Sequence, residues 1–454
     1  MISFTTTSVA EQLGTQHLGA EVCFSSVSTD TRTIGSGDLF VAIQGPSFDA
    51  HDFIGRVKAS GAAAAMVSRE SDVAISQVVV PDTRIGLGRL AALWRQASNA
   101  PLVAVTGSNG KTTVKEMLAV ILAKSGTVLS TQGNLNNDIG LPLTLMRLQE
   151  QDYAVVEMGA NHGGEIEYLS SIARPDVAVL TNAARAHLEG FGSVEGVARA
   201  KGEIVTGLAD GGWFVFNGDD TWAPLWRELA GDRQVRTFGV RQLADVHSPE
   251  DAWEVHWTET GFCSRFPVIT PEGEVTIELA LAGRHNRMNA LAAVAAAQLL
   301  GISLEQIREG LASLAPVKGR LQPLAGKNGI GLIDDSYNAN PDSVNAAIDV
   351  LVTAPGRRFL VLGELVEMGE EGQLFYRELG EYARRAGIEH LYAMSEAGGA
   401  ADAFGEGGCL FETHEELAGA LLNTLNPGDR VLVKGSRKAA MEQVINALLE
   451  GEVD

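Results

Sequence analysis

Cysteine is scarce in this sequence. The 454 residues include only three cysteines, Cys23, Cys263 and Cys409, which lie far apart and form no CxxC pair. An odd number of widely spaced cysteines argues against a disulfide framework and against a structural zinc site. This cysteine usage fits a reducing compartment, so we expect a cytoplasmic protein.

The sequence also lacks a long apolar run. Its nearest approach to a membrane-spanning segment is 282–300, which Arg284, His285 and further polar residues interrupt. The first residues, Met1 to Phe4, do not show the basic region followed by an apolar region that marks a secretory signal. We therefore expect no membrane insertion.

Basic residues are outnumbered by acidic ones. Lys and Arg together number 35 against 57 Asp and Glu, which gives a formal net charge of −22. Such a surface repels nucleic acid over most of its area, so we expect no nucleic-acid partner. Phosphate groups can still bind locally through backbone N–H groups, helix N-termini, a few cations and Mg²⁺.

The length of the chain predicts roughly two to four domains. Short apolar runs alternate with helical patterns, which is typical of α/β domains with parallel sheets. We predict a small α/β domain over residues 1–84, a central domain with a parallel sheet over 85–315, and a doubly wound, Rossmann-like α/β domain over 316–454. The predicted strands are 39–43, 64–67, 78–80, 102–106, 153–157, 177–181, 330–334, 358–362, 390–394 and 430–434, and a helix is predicted over 283–300.

A glycine-punctuated loop lies between the predicted strand 102–106 and an amphipathic helix, which is the context of a loop that binds nucleotide phosphates. Gly107 and Gly110 let the backbone N–H groups face an anion. Lys111 can reach the β- and γ-phosphates, and the hydroxyl of Thr112 can coordinate Mg²⁺. The predicted ATP-binding residues of the loop are Gly107, Ser108, Asn109, Gly110, Lys111, Thr112 and Thr113. The first glycine of the usual motif is missing, and the loop on its own indicates only a nucleotide.

The sequence of this loop, TGSNGKTT, closely resembles the ATP loop of the Mur ligases and of the folylpolyglutamate synthetases. These enzymes share a substrate domain, an ATPase domain and a C-terminal Rossmann-like domain, which matches the predicted domains over essentially the whole chain. Further segments resemble the Mur ligases that add D-alanyl-D-alanine, namely 131–142, 157–165, 186–193, 200–204, 334–341 and 434–437. The sequence departs from the family pattern at Arg185, in 182–187, and at Glu364, in 363–369.

The resemblance implies a bacterial ligase that uses ATP to join D-alanyl-D-alanine to a UDP-N-acetylmuramoyl-tripeptide through an acyl phosphate. It implies ATP and two Mg²⁺ ions at the site, and we expect a monomer. The catalytic residues that it implies are Lys111, Glu157, His187, Lys201 and Arg320. The metal-binding residues that it implies are Thr112, Glu157, His187 and Lys201, with Lys201 converted to a carbamate.

Each of these roles has a plainer alternative. Glu157 ends a predicted strand on the sheet of the phosphate loop, where a carboxylate can hold Mg²⁺, but it can also cap a helix or form an ion pair. His187 follows the next predicted strand, and a lone histidine is more often structural than a ligand. Lys201 lies in the polar stretch 199–203 and can be an ordinary surface lysine.

The resemblance also assigns residues to the nucleotide and to the other substrates. It places Asn289 at the adenine, Arg320 at the phosphates, Asp335 at the ribose and Tyr337 nearby. Polar residues on turns are the candidates for the UDP-sugar, although they can also simply cap those turns: Ser28, Asp30, Thr31, Arg32, Gln44, Phe48, Asn134, Asn136 and Asn137. Lys434 and Arg437 are candidates for the carboxylates of the peptide substrates.

Three other functions remain as alternatives. The nearest is another carboxylate–amine ligase, either a different Mur ligase that adds one amino acid or a folylpolyglutamate synthetase. The second is a nucleotide-binding switch with slow hydrolysis and no acceptor substrate. The third, a dinucleotide-dependent oxidoreductase, is disfavoured because no GxGxxG pattern follows a predicted strand in the C-terminal domain.

Overall fold

A computed structural model of the chain describes residues 2–241, 243–258, 261–366 and 372–449. Three sheets of five or more strands, each packed against helices, follow one another along these residues, and one short two-stranded pair accompanies them. The mixed α/β class predicted from the sequence is confirmed. Within the described residues, no helix combines the length and the apolar composition that a membrane-spanning helix requires.

The first part of the chain forms a small sheet with strand order β2-β7-β6-β5-β4, and a short antiparallel pair, β1 with β3, lies beside it. Strands β4 to β7 run parallel, because the chain crosses over between them through helices and loops. The elements are β1 Phe4–Thr5, α1 Thr6–Leu13, β2 Gln16–Leu18, β3 Cys23–Phe24, β4 Val27–Ser28, β5 Leu39–Val41, α2 Ile54–Ala59, β6 Ala64–Val67, β7 Ser76–Val79 and α3 Thr83–Gln96.

Helix α3 connects this part of the chain to the central sheet through buried side chains and hydrogen bonds. Its Trp94 is fully buried and donates a hydrogen bond from Nε1 to the carbonyl oxygen of Leu148 at 2.8 Å. Its Arg95 is buried and donates to the carbonyl oxygen of Ala173 at 3.0 Å. The predicted domain boundary after residue 84 falls in the first turn of α3 and stays a prediction.

The central sheet has the order β15-β16-β14-β13-β12-β11-β8-β10-β9, and β17 pairs with β16. Strands β8 to β14 are parallel, whereas β15, β16 and β17 form an antiparallel extension that the sequence did not predict. The strands are β8 Leu102–Thr106, β9 Val128–Ser130, β10 Tyr153–Glu157, β11 Val177–Leu180, β12 Trp213–Asn217, β13 Gln234–Gly239, β14 Val246–His247, β15 Glu254–Trp257, β16 Phe262–Thr270 and β17 Gly273–Leu279. The helices are α4 Lys111–Leu122, α5 Gly140–Leu145, α6 Glu165–Ala173, α7 Leu188–Phe191, α8 Val194–Gly202, α9 Ala223–Ala230, α10 Arg284–Leu299 and α11 Leu304–Ala312.

The C-terminal part forms a sheet of order β18-β19-β23-β20-β21-β22, in which only the edge strand β18 is antiparallel among the described strands. Its strands are β18 Gln322–Ala325, β19 Gly331–Asp335, β20 Arg358–Leu362, β21 His390–Met394, β22 Gly408–Phe411 and β23 Arg430–Lys434. Its helices are α12 Pro341–Leu351, α13 Gly372–Ala386, α14 Gly398–Phe404, α15 His414–Thr424 and α16 Glu442–Leu448.

Candidate active site

The phosphate loop lies at the carboxyl edge of the central sheet, between β8 and α4. Gly107 and Gly110 have φ angles of 142° and 84°, which side-chain-bearing residues rarely adopt. A Cβ atom at Gly107 would lie 2.0 Å from Thr181 Oγ1, and one at Gly110 would lie 2.2 Å from Asn289 Oδ1. The loop therefore packs directly against the end of β11 and the start of α10, and both glycines are required by this contact.

Lys111 begins α4 and turns back over the loop. Its Nζ donates to the carbonyl oxygens of Gly107 at 2.7 Å and Ser108 at 3.2 Å. Burial lowers the pKa of Lys111, the carboxylate of Glu157 opposes that effect, and the charge of Arg320 adds to it. A phosphate group placed between Lys111 and Arg320 would offset the repulsion between these two cations and stabilise the charged form of Lys111, which is the electrostatic condition for an anion site.

Glu157 ends β10, next to β8 in the sheet, and is buried. Its Oε2 accepts a hydrogen bond from Thr112 Oγ1 at 2.8 Å, and its Oε1 accepts one from Asn136 Nδ2 at 2.9 Å. A carboxylate and a hydroxyl at this separation form the oxygen-donor set that Mg²⁺ prefers. The residues present therefore fit one hard divalent ion beside the phosphate loop.

Lys201 lies in α8 and is only 2% exposed, so the surface-lysine alternative is wrong. Its Nζ donates to the carbonyl oxygen of Ala160 at 3.2 Å and lies 5.0 Å from the ring centre of Phe191. Burial, together with the charge of the nearby Lys111, lowers the pKa of Lys201 to about 7, although Glu165 and Glu203 oppose the shift. A large fraction of this amine is consequently neutral and nucleophilic near neutral pH.

His187 occupies the loop after β11 with a φ angle of 54°. Its ring meets the ring of Phe191 edge-on at 6.5 Å between centroids, so His187 and Lys201 share one aromatic neighbour. In the described parts of the chain, no group of three or more His, Cys, Asp and Glu side chains is arranged as a metal site. A second ion near His187 would thus depend on a further oxygen ligand, which a carbamate on Lys201 would supply.

The C-terminal part meets the phosphate loop directly. Arg320 Nη2 donates to Thr112 Oγ1 at 2.9 Å, and its guanidinium lies 4.5 Å from the ring centre of Tyr337. Asn340 Nδ2 donates to Asn109 Oδ1 at 2.8 Å. These contacts bring the C-terminal part directly against the phosphate loop of the central part.

Asp335 and Lys434 end the neighbouring parallel strands β19 and β23 and form a buried ion pair. Lys434 Nζ donates to Asp335 Oδ2 at 2.6 Å and to the carbonyl oxygen of Asn338 at 3.0 Å. Asp335 Oδ1 accepts the backbone N–H of Leu321 at 3.1 Å. Lys434 therefore fixes the orientation of the Asp335 carboxylate.

A cavity of about 1010 Å³ joins these groups. The predicted residues that line it are Ser108, Asn109, Gly110, Lys111, Thr112, Thr113, Asn136, Asn137, Glu157, His187, Lys201, Asn289, Arg320, Asp335, Tyr337 and Lys434. The predicted residues that do not line it are Gly107, Ser28, Asp30, Thr31, Arg32, Gln44, Phe48, Asn134 and Arg437. The nucleotide and metal candidates thus come together, whereas the UDP-sugar candidates of the first part lie elsewhere on the surface.

Several of these outlying residues have local structural roles. Arg32 donates from its backbone N–H and its guanidinium to Asp30, with the closest contact at 2.7 Å, so this pair stabilises its own turn. Phe48 is 55% exposed. Arg437 pairs with Glu442 at 3.1 Å.

Glu364, where the sequence departs from the family pattern, has its carboxylate 3.3 Å from Lys438 Nζ. Residues 367–369 of the same segment lie outside the described residues.

The cavity also contains residues that the sequence did not single out. Asn286 accepts a hydrogen bond from Asn289 Nδ2 at 3.2 Å, and the i, i+3 spacing of these two asparagines on α10 could have indicated this. His285 borders the cavity, and burial together with the charge of Lys434 lowers its pKa to about 4. Arg84, in the first turn of α3, pairs with Asp138 at 2.6 Å, and no sequence signal links them.

Comparisons with known proteins agree over the whole chain. The family models described as "Mur ligase family, catalytic domain", "Mur ligase middle domain" and "Mur ligase, glutamate ligase domain" match residues 24–124, 105–297 and 319–437. A relative from Escherichia coli K12, named UDP-N-acetylmuramoyl-tripeptide–D-alanyl-D-alanine ligase, is 45% identical and covers 99% of both chains.

Solved structures give the same result. A crystal structure of MurF from Acinetobacter baumannii matches with a TM-score of 0.91 and 37% identity, over 99% of this chain and 100% of the other. A crystal structure of MurF ligase from Thermotoga maritima in complex with ADP matches with a TM-score of 0.83 and 29% identity, over 93% and 96% of the two chains.

Proposed function

This chain belongs to the Mur ligase family, and we propose that it is the ATP-dependent ligase that joins D-alanyl-D-alanine to a UDP-N-acetylmuramoyl-tripeptide in bacterial peptidoglycan precursor synthesis. The observation that carries the proposal is the cavity in which Lys111, Glu157, Lys201 and Arg320 meet from two parts of the chain. The full-length similarity to the Escherichia coli ligase and to the ADP-bound Thermotoga structure supports it.

The reaction has two steps. An oxygen of the terminal carboxylate of the tripeptide attacks the γ-phosphorus of ATP, the bond to the bridging oxygen breaks, and ADP leaves. The amine of D-alanyl-D-alanine then attacks the acyl carbon, loses a proton and expels phosphate, which forms the amide. Both steps need positioned substrates and stabilised negative charge rather than an enzymatic nucleophile.

The charge is stabilised around the phosphate loop. The backbone N–H groups after Gly107 and the N-terminus of α4 face the β- and γ-phosphates. Lys111 leaves the carbonyl oxygens of the loop and reaches the transferring phosphoryl group. Arg320, held over Tyr337, approaches the same phosphates from the C-terminal part. Contacts from both sides of the cavity make closure around ATP part of catalysis.

Thr112 and Glu157 would hold one Mg²⁺, and His187 together with a carbamate on Lys201 would hold the second. Bound ions would neutralise the phosphates and orient the attacking carboxylate. The buried, partly neutral amine of Lys201 favours carbamate formation, because only the neutral amine attacks CO₂. This conversion changes a buried cation into an anion, which suits a site that holds divalent ions.

The remaining site residues would select the substrates. Asn289 packs against Gly110 and would meet the adenine, and Asp335, held by Lys434, would accept hydrogen bonds from the ribose hydroxyls. Asn136 and Asn137 extend the cavity towards the first domain, whose turns at residues 28–32, 44–48 and 134 would bind the UDP-sugar. Arg437 would meet a peptide carboxylate. The protein would act as a monomer in the cytoplasm.

A substrate panel tests this function. We expect the protein, ATP and Mg²⁺ to convert UDP-N-acetylmuramoyl-tripeptide and D-alanyl-D-alanine into a product whose mass equals the sum of the two minus one water. Single amino acids and folates with glutamate should give no product. Turnover with a single amino acid or a folate, and none with D-alanyl-D-alanine, would assign the protein to a sister ligase instead.

A further inference from the structure

Arg185, one of the two departures from the family pattern, makes several contacts between the central and C-terminal parts. It lies in the loop between β11 and α7. Its Nη2 donates to Asp342 Oδ1 at 2.7 Å, its Nε donates to the same oxygen at 3.1 Å, and its backbone N–H donates to Asp342 Oδ2 at 2.9 Å. Its Nη1 reaches Glu378 at 3.2 Å, and its guanidinium lies 5.1 Å from the ring centre of Phe375.

All three partners belong to the C-terminal part. Asp342 lies in the first turn of α12, where its negative charge also complements the helix dipole. Phe375 and Glu378 lie on α13, and Phe375 is buried. The guanidinium therefore connects one loop of the central sheet to two helices of the other sheet. A planar group with several donors suits such a junction better than an ammonium.

Both ends of this junction are attached to the phosphate loop. On the central side, the loop after β11 contains Asn182, whose Oδ1 accepts the N–H of Asn109 at 3.0 Å. On the C-terminal side, α12 begins at Asn340, whose Nδ2 donates to Asn109 Oδ1 at 2.8 Å. Asn109 thus lies between the two elements that Arg185 joins, and Arg185 sets the separation of those elements.

We propose that Arg185 is a positioning residue that clamps the C-terminal part against the phosphate loop and so holds Arg320 and Asp335 ready for ATP. This proposal rests on the proposed function only for the identity of the acceptor substrates, because the clamp itself concerns nucleotide binding. The residue acts through the geometry of the loops and does not touch the reacting atoms.

The size of the effect follows from the exposure of the pair. The side chains of Arg185 and Asp342 are 30% and 34% exposed, so solvent screens their attraction. A partly screened pair of this kind changes an equilibrium by about 5-fold. We expect Arg185→Ala to lower the ratio of closed to open molecules by about 5-fold and to raise the KM for ATP by up to that factor.

The clamp can be measured as a distance. Cys409, which is exposed on β22, carries the first spin label. The substitution Asp232→Cys provides the site for the second label at an exposed position of the central part. The substitutions Cys23→Ser and Cys263→Ser remove the other two thiols. Pulsed electron resonance then gives the distribution of distances between the C-terminal and central parts, with and without ADP and Mg²⁺. Arg308→Ala, which breaks the Glu305–Arg308 pair inside one helix, is the matched control.

We expect Arg185→Ala and Asp342→Asn each to add a population at longer distance, and the double variant to add no more than Arg185→Ala alone. Arg185→Lys should retain part of the closed population, the control should match the parent protein, and ADP with Mg²⁺ should restore closure. A distribution for Arg185→Ala that equals that of the parent would overturn the clamp. If Arg185→Ala opens the molecule but the parent protein forms no amide, the clamp is supported and the proposed function is refuted instead.

Discussion

Lys201 offers the sharpest perturbation of the site. With a pKa of about 7, about three quarters of its amines are neutral at pH 7.5, whereas a lysine with the ordinary pKa of 10.5 is only about 0.1% neutral. The population that can react with CO₂ is therefore increased by roughly two to three orders of magnitude. Burial, which is the largest cause of this shift, also protects the resulting carbamate from bulk water.

Two variants separate the carbamate from the space that the side chain fills. Lys201→Met keeps the length of the side chain and its packing near Phe191, but it cannot form a carbamate. Lys201→Ala leaves room for a small anion. We expect both variants to lose activity by at least about 100-fold, as when one electrostatic contributor is removed from a phosphoryl-transfer site. Acetate, formate or bicarbonate should partly restore Lys201→Ala and leave Lys201→Met inactive.

The assay is amide formation at pH 7.5 in buffers depleted of CO₂ or supplied with bicarbonate, together with a ¹³C NMR spectrum of the parent protein in ¹³C-bicarbonate. We expect a carbamate signal in the parent that both variants lack, and circular dichroism should show that both variants fold. Full activity of folded Lys201→Met would refute the reasoning. Equal activity of the parent protein in CO₂-depleted and bicarbonate-supplied buffer would refute it as well.

Further predictions concern the phosphate loop and acid stability. Lys111→Met should lower single-turnover phosphate release by about 10²–10³-fold in a folded protein, and release at the parent rate would remove Lys111 from the mechanism. Gly110→Ala places a methyl group against Asn289 Oδ1 and requires an unfavourable φ. We therefore expect the KM for ATP to rise while the melting temperature falls only by a few degrees. An unchanged KM would contradict the contact. His285 has a folded-state pKa of about 4 instead of 6.5, so between these values the unfolded chain binds more protons and stability falls as pH falls. From pH 7.5 to 5.5 this costs about 1 kcal/mol. His285→Gln should remove this loss of stability in melting curves, and equal losses in both proteins would contradict the lowered pKa of His285.

Sequence reasoning succeeded where the local signal was strong. The strands 102–106 and 153–157 have the predicted bounds because both faces of each are buried, which gives continuous apolar runs that end in polar residues. The helix predicted after the phosphate loop begins at Lys111, where the glycine-rich loop ends. The residues attached to these elements, such as Glu157, consequently lie at the expected edge of the sheet.

The rest depends on contacts between distant segments. Strands β16 and β17 have one face exposed, and their mixed composition resembles loops as much as strands. The buried Lys201 contacts Phe191 of α7 and the carbonyl oxygen of Ala160 in the loop after β10, which no local pattern in a polar stretch reveals. The contacts of Arg185 with Asp342 likewise join residues far apart in sequence, so only the folded chain reveals them.

The most direct test of the central claim follows oxygen atoms. UDP-N-acetylmuramoyl-tripeptide would be prepared with ¹⁸O in its terminal carboxylate and incubated with the protein, ATP, Mg²⁺ and D-alanyl-D-alanine. Because an acyl phosphate transfers one carboxylate oxygen to the departing phosphate, we predict inorganic phosphate that carries one ¹⁸O for each amide formed. Phosphate without ¹⁸O, released whether or not D-alanyl-D-alanine is present, would contradict the account and point to simple hydrolysis of ATP.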